Sequence, residues 1–212
     1  MAEFLLQIFY AVPIAGVLFG VALLMSKSGR WRPDRLIAML ERFLERPLRG
    51  YLAIICIALT ALILTTLWTG IPLPAVHDEF SYLLAADTFA HGRITNPTPH
   101  FWEHFETFHV LLQPTYMSKY PPGQGLFLAV GQVLWHPILG VWLSAVLASA
   151  ACYGMLRVWF SSRSRGWAFV GGTLFALHPL LTRWGHLYWG GSVAAFGGAL
   201  LFGNARYLLY AL

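Results

Sequence analysis

Two adjacent carboxylates, Asp78 and Glu79, follow about twenty apolar residues in the sequence. A carboxylate where an apolar segment ends can be partly desolvated and still reach an acceptor in water, which suits a general base. Adjacent residues on a helix point about 100° apart, so one acid would transfer the proton while the other orients or caps. The alternative is that the pair only caps the free N–H groups of a helix and complements its dipole.

Most acids and histidines of the chain fall in one polar segment after this pair. Five of the nine acidic residues and five of the eight histidines are His77, Asp78, Glu79, Asp87, His91, His100, Glu103, His104, Glu106 and His109. No acidic residue follows Glu106. Any carboxylate chemistry of this chain must therefore come from this segment.

A zinc pattern lies in the same segment. His100, Glu103 and His104 match the H-x-x-E-H arrangement, which on a helix places two histidines one turn apart beside the Glu. Pro97 and Pro99 come immediately before it, and so short a pattern arises easily in a histidine-rich loop. A membrane zinc peptidase is therefore the remote alternative.

Cations follow the acidic pair in two further polar segments. Lys119 comes just before Tyr120 and two prolines that predict the start of a short helix, where a cation could neutralise a lipid phosphate. The alternative is a lysine that only extends to the membrane surface. In "TRWGHLYWGGS", Arg183 and His186 add donors to the same surface. Tyr and Trp in that segment are also expected at any membrane interface.

The composition indicates an integral membrane protein. Of 212 residues, 58% are hydrophobic and only 11% are charged, against roughly a quarter charged in soluble domains. The five predicted spans are Phe4–Met25, Tyr51–Ile71, Pro137–Phe160, Trp167–Leu181 and Tyr188–Asn204. At 13 residues, Gly123–Trp135 suits a re-entrant or interfacial helix better than a span.

The basic residues predict the orientation. Seven of the fourteen Lys and Arg lie between Lys27 and Arg49, which marks a cytoplasmic segment and not a nucleic-acid site. If Gly123–Trp135 dips and returns, eleven of the fourteen are cytoplasmic, and only Arg93, Lys119 and Arg183 lie outside. This topology gives a large outer loop at 72–136 and a second outer loop near Arg183.

Two amphipathic surface helices are expected. The first lies in the basic segment, where a stripe of Leu36, Leu40 and Leu44 opposes an Arg-rich face; a plain basic connector is the alternative. The second, Phe80–Ala90 in the outer loop, would end at His91-Gly92. The fold class is thus an all-α polytopic membrane protein of about five transmembrane helices.

Three segments, "HDEFSYLLAADTFAHGR", "KYPPGQGLFLAVGQ" and "LYWGGSVAAFGGALLFG", resemble the C-type glycosyltransferases. The resemblance is to the bacterial branch related to protein O-mannosyltransferases and lipid A aminoarabinose transferases. It implies transfer of a sugar, with inversion, from a polyprenyl phosphate to an acceptor glycan, lipid or protein outside the membrane. Residues 51–212 would be the front part of that membrane core, and 1–50 an additional span with a basic interfacial helix.

The resemblance also implies site residues. Asp78 would be the general base and Glu79 its neighbour in the acidic pair. Donor phosphate would be bound by Lys119, Arg93, Arg183 and His186, and the pocket lined by His77, Tyr82, Tyr120, Tyr188 and Trp189. One residue separates Lys119 from the Pro-Pro pair, and the second outer loop has no acid, which are departures from the family pattern.

Several properties follow from this resemblance or stay open. Family members are more than twice as long, so the chain is expected to be a fragment or to need a C-terminal half or partner subunit. The expected location is the bacterial inner membrane, with the site facing the periplasm or exterior. No cofactor is assigned from the sequence, and participation of a divalent metal is left open. A non-enzymatic membrane protein, such as a transporter or assembly subunit, is the main alternative.

Overall fold

A computed structural model describes residues 33–160 and 165–211. This part of the chain is mainly helical, as predicted. The helices are α1 (Pro33–Phe43), α2 (Pro47–Thr69), α3 (His77–Ala90), α4 (Pro122–Leu134), α5 (Pro137–Trp159), α6 (Arg165–Ala176), α7 (Pro179–Trp184) and α8 (Gly191–Ala211). The loop after α3 contains a 3₁₀ turn (Trp102–His104) and strands β1 (Val110–Leu111) and β2 (Met117–Ser118). The predicted span Phe4–Met25 lies outside the described residues.

Two helices of the described residues are long and apolar enough to cross a membrane, judged by length and composition. They are α2 and α5, each of 23 residues, which corresponds to about 35 Å of helix. Both match predicted spans within a few residues. Each begins with a proline at its first position, where the missing N–H costs no helical hydrogen bond.

Helices α2, α5 and α8 run parallel or antiparallel to one another. Helix α2 runs antiparallel to α5, because Tyr51 near its start lies with its ring centroid 5.1 Å from that of Tyr153, near the end of α5. Helix α8 runs parallel to α5. The Oγ atoms of Ser144 and Ser192 are 2.6 Å apart near the two starts, and the Trp159 indole N–H donates to the Phe202 carbonyl near the two ends. The end of α2 and the starts of α5 and α8 therefore lie together, at what we call the loop end.

The opposite end, called the basic end, carries α1 and the start of α6. The Gly166 N–H donates to the Glu41 carboxylate of α1 at 2.6 Å, so these two segments lie on the same side of the bundle. The guanidinium of Arg157 lies 5.9 Å from the centroid of the Tyr51 ring at this end. Arg157 and Arg165 thus share an end with the basic segment of α1.

The predicted span Trp167–Leu181 is not one continuous helix. Helix α6 ends at Ala176, and α7 begins at Pro179. Proline offers no N–H and disfavours the helical conformation in the residue before it, and His178 is accordingly extended (φ −64°, ψ 131°). After α7, the His186 ring hydrogen-bonds Thr69 at the end of α2. The two helices together therefore run from the basic end to the loop end.

Helices α3 and α4 pack closely at the loop end. A Cβ added to Gly125 would lie 2.7 Å from the Ala85 Cβ, so only glycine permits this approach. The buried residues of α3 are small or polar: Glu79, Ser81, Ala85, Ala86 and Thr88. Phe80, at the start of the predicted surface helix, is exposed. Helix α3 ends, as predicted, at His91, before Gly92 with φ +67°.

Helix α4 folds back onto α5. Gly131 and Gly140 lie where the two backbones meet, without room for a Cβ on either residue. The turn is capped by His136, whose Nδ1 accepts the Ile138 N–H at 3.2 Å. The short helix predicted at Gly123–Trp135 is confirmed as a helix that returns directly into α5.

Candidate functional site

Glu79 is almost completely buried in the first turn of α3, with 1% of its surface exposed. Its Oε2 accepts the backbone N–H groups of Ala75, at 2.8 Å, and Val76, at 3.4 Å. Its Oε1 accepts the N–H of Tyr188 at 3.0 Å. The Tyr188 hydroxyl in turn donates to the Pro72 carbonyl at 2.9 Å. Glu79 therefore caps α3 and also fixes the segment before α8 to the segment after α2.

Asp78 is different: its side chain is 38% exposed. The Tyr120 hydroxyl donates to Oδ1 at 2.5 Å, and His109 Nδ1 lies 2.8 Å from the same oxygen. Among the described residues, Oδ2 has no hydrogen-bond partner. One oxygen of this carboxylate is thus held in place, and the other is available to a substrate. The two adjacent acids thus differ in exposure and in hydrogen-bond partners.

A short hairpin brings His109 and Tyr120 to Asp78. Strands β1 and β2 pair Val110 with Ser118, so the residues that flank the hairpin lie side by side. The buried Ser81 hydroxyl on α3 donates to the His109 carbonyl at 2.5 Å and lies 2.7 Å from the Ser118 hydroxyl. Ser118 also accepts the Tyr120 N–H at 3.2 Å. These bonds attach the hairpin to α3 one turn beyond Asp78.

Aromatic rings surround the three groups. Tyr82 stacks on Tyr120 with centroids 4.8 Å apart, and His77 stacks on His109 at 5.4 Å. Lys119 Nζ lies 5.5 Å from the centroid of the Tyr120 ring. The hydrogen bond to Asp78 is the main cause that raises the pKa of Tyr120 to about 12. Burial, and then the charge of Asp78, raise the pKa of Tyr82.

The predicted phosphate ligand Arg93 lies elsewhere. Its guanidinium is 3.8 Å from the carboxylate of Asp87, which also accepts the Gln132 amide at 3.1 Å. Asp87 is nine residues beyond Asp78 on α3, about 14 Å along the helix axis. The structure therefore does not bring Arg93 together with Asp78.

Arg183 and Trp189 line a groove behind Glu79. This groove has a volume of about 380 Å³ and is otherwise bordered mainly by Ala75, Val76, Leu180, Trp184 and Leu187. His186 lies apart from it, between Thr66 (3.4 Å) and Thr69 (2.9 Å) of α2, where burial lowers its pKa. The four predicted phosphate ligands thus lie in four different places. Lys119 is the one over the ring of Tyr120, whose hydroxyl donates to Asp78.

The residues of the zinc pattern do not form the helix that a zinc peptidase site would require. The segment from Trp102 to His104 is a single 3₁₀ turn, and Phe101 before it has φ +59°. His100 consequently lies outside any helix shared with His104. In residues 33–160 and 165–211, no three His, Cys, Asp or Glu side chains are grouped so that they could hold a metal ion.

His109 is the site residue that sequence reasoning did not identify as a partner of Asp78. It is 31 positions away in a loop, and only the register of a two-residue hairpin brings it close. Tyr120 was predicted to line the pocket, but not to donate to Asp78. A histidine just before one strand and a tyrosine just after its partner would have been the available signal.

In comparisons with protein-family models, curated proteins and solved structures, nothing matches this chain.

Proposed function

We propose that the chain is a membrane glycosyltransferase, or the front part of one, that uses a polyprenyl-phosphate sugar. The observation that carries this proposal is the Asp78 carboxylate: two neighbours hold Oδ1, and Oδ2 is open. A general base needs this combination of fixed orientation and access. The resemblance of the three segments quoted above supplies the reaction class.

The proposed reaction is a single displacement with inversion. Oδ2 of Asp78 takes the proton from the acceptor hydroxyl, and the acceptor oxygen forms a bond to the anomeric carbon. The bond from that carbon to the polyprenyl phosphate breaks, and its electron pair leaves with the phosphate. Lys119, on the Tyr120 side of Asp78, is the cation placed to balance the departing charge.

The proposed topology has five spans, with Phe4–Met25 as the first. Helices α2, α5, the α6–α7 pair and α8 would be the other four, and α4 would dip and return. The charges of the described chain support this, because Arg157, Arg165 and the basic segment share one end, whereas Arg93, Lys119 and Arg183 belong to segments at the other. The loop end would face the periplasm or exterior of a bacterial inner membrane.

The acceptor would be a glycan, lipid or protein outside the membrane. A C-terminal half or partner subunit would complete the enzyme, as the length of the family implies. The bilayer itself brings the donor to the site, because the lipid of a polyprenyl-phosphate sugar confines it to the membrane.

The test measures release of polyprenyl phosphate from polyprenyl-phosphate mannose and polyprenyl-phosphate aminoarabinose, in membranes that contain the chain together with its C-terminal half or partner subunit. We expect release from at least one donor, and Asp78→Asn should abolish it while leaving membrane insertion intact. Glu103→Gln, which removes an exposed acid of the same loop, is the matched control. Near-normal release by Asp78→Asn would remove Asp78 from the role of base.

A binding measurement separates the enzyme from a transporter or assembly subunit. Polyprenyl phosphate, the leaving group common to all such donors, should raise the unfolding temperature of the purified chain in detergent. Polyprenol, which lacks the phosphate, should raise it less. Absence of any effect from polyprenyl phosphate on a folded protein would favour the non-enzymatic alternative.

A further inference from the structure

His109 has a place in this site that a binding or packing role does not explain. Its Nδ1 is 2.8 Å from both the Asp78 Oδ1 and the Tyr120 hydroxyl. Its ring is held by stacking on His77, and its backbone carbonyl by Ser81. The side chain is nevertheless 27% exposed. The imidazole therefore joins the carboxylate to water, in an orientation fixed from two sides.

We propose that His109 is the relay that returns the proton from Asp78 to solvent after each transfer. This inference rests on the proposed function, since it requires Asp78 to have taken a proton from the acceptor. His109 acts through Asp78 and touches no substrate, so it is a positioning residue with a proton-transfer task.

The relay releases one proton to water for each proton that Asp78 takes from the acceptor. After sugar transfer, Asp78 is a neutral carboxylic acid, and a neutral imidazole with its proton on Nε2 has an electron pair at Nδ1. The Asp78 carboxyl turns about its Cβ–Cγ bond so that its protonated oxygen takes the place of Oδ1 beside His109. Nδ1 then accepts the proton, and Asp78 becomes a carboxylate again. The imidazolium then releases the Nε2 proton to water, so one proton enters from the acceptor and one leaves.

The groups that face His109 are suited to this cycle. Asp78 and His77 face it from α3, and Tyr120 from the segment after β2. Lys119 lies beyond, over the Tyr120 ring. The raised pKa of Tyr120 keeps its phenol protonated, so it holds Asp78 Oδ1 without itself taking part in the exchange. Histidine is the side chain best suited to gain and lose a proton near neutral pH.

Two substitutions distinguish a proton-relay role of His109 from a purely structural role. His109→Asn keeps an N–H donor near the Nδ1 position but cannot accept and pass on a proton. His109→Ala leaves space for imidazole added to the buffer. With the release assay above, we expect kcat to fall about 10- to 100-fold in both variants, with KM within about twofold. Added imidazole should restore kcat of the Ala variant saturably and with a pH dependence, and should not help the Asn variant.

His104→Asn, an exposed histidine of the same loop, is the matched control and should turn over normally. Wild-type kcat in His109→Asn, or no rescue of His109→Ala by imidazole, would overturn the relay while leaving Asp78 as the base. Undiminished release by Asp78→Asn would instead overturn the base, and with it the relay. Absence of release by the wild-type chain together with its C-terminal half or partner subunit would overturn the proposed function itself.

Discussion

The carboxylate of Glu79, in the first turn of α3, accepts the backbone N–H of Tyr188 at 3.0 Å, across 109 residues of sequence. Because Glu79 is 1% exposed and also accepts two amides of its own segment, it connects the two polar segments of the loop end through one buried anion. Because Asp78 is the adjacent residue in the same turn of α3, this connection also fixes its backbone position.

Glu79→Gln should therefore destabilise the protein. The amide NH₂ would replace one acceptor oxygen and oppose a backbone N–H, and a buried unsatisfied donor costs about 1–3 kcal/mol. Thermal unfolding in detergent, followed by tryptophan fluorescence, measures the loss. Glu103→Gln, on an exposed residue, should change stability by less than about 0.5 kcal/mol. Equal stability of the two variants would contradict the buried connection.

Tyr120→Phe should change how stability depends on alkaline pH. The pKa of Tyr120 is raised to about 12 in the fold, whereas a free tyrosine has a pKa near 10. Its contribution is complete below pH 10 and is lost as pH rises toward 12, since the unfolded chain loses the phenol proton first. The difference in unfolding free energy between wild type and Tyr120→Phe should narrow over that window. In an Asp78→Asn background, the narrowing should be weaker, because the main cause of the shift is gone.

The Ser81–Ser118 pair should couple stability to activity. A double-mutant cycle with Ser81→Ala and Ser118→Ala should give a coupling of about 0.5–1.5 kcal/mol, as for a buried hydrogen bond. Release of polyprenyl phosphate should fall as well, since these hydroxyls attach the hairpin that carries His109. Ser144 and Ser192 form a chemically matched pair between α5 and α8. Replacing Ser144 and Ser192 by Ala should lower stability but leave the release of polyprenyl phosphate unchanged. A similar loss of release from both pairs would contradict a specific role for the hairpin.

The orientation in the membrane can be tested with two cysteines. After Cys56 and Cys152 are replaced by Ala, Glu103→Cys at the loop end should react with an impermeant maleimide in intact cells. Arg42→Cys, on the exposed surface of α1, should react only after permeabilisation. The reverse pattern would invert the proposed topology.

Sequence reasoning located the helices well where apolar length and proline signals agree. The starts of α4 and α5 coincide with prolines, and the end of α3 with His91-Gly92. It failed where one local signal was given too little weight: Pro179 divides a segment that hydropathy alone treats as continuous.

The candidate site was predictable in part. Separate tasks for Asp78 and Glu79 follow from helix geometry, and their different exposure agrees with it. The partnership of Asp78 with His109 was not predictable, since hairpin register and a serine hydrogen bond determine it. Arg93 was misleading for a related reason, because its nearest acid is Asp87 and not the pair at the helix start.

The close approach of Gly125 to Ala85 has a practical consequence for directed evolution of this chain. A side chain at position 125 would meet the Ala85 Cβ and the Phe89 ring, so α3 and α4 would have to move apart. Both positions should stay constant in a variant library. Sequence diversity should instead be introduced at Phe101, Phe105 and Phe108. Their rings are exposed in the loop after α3, away from the contact between α3 and α4.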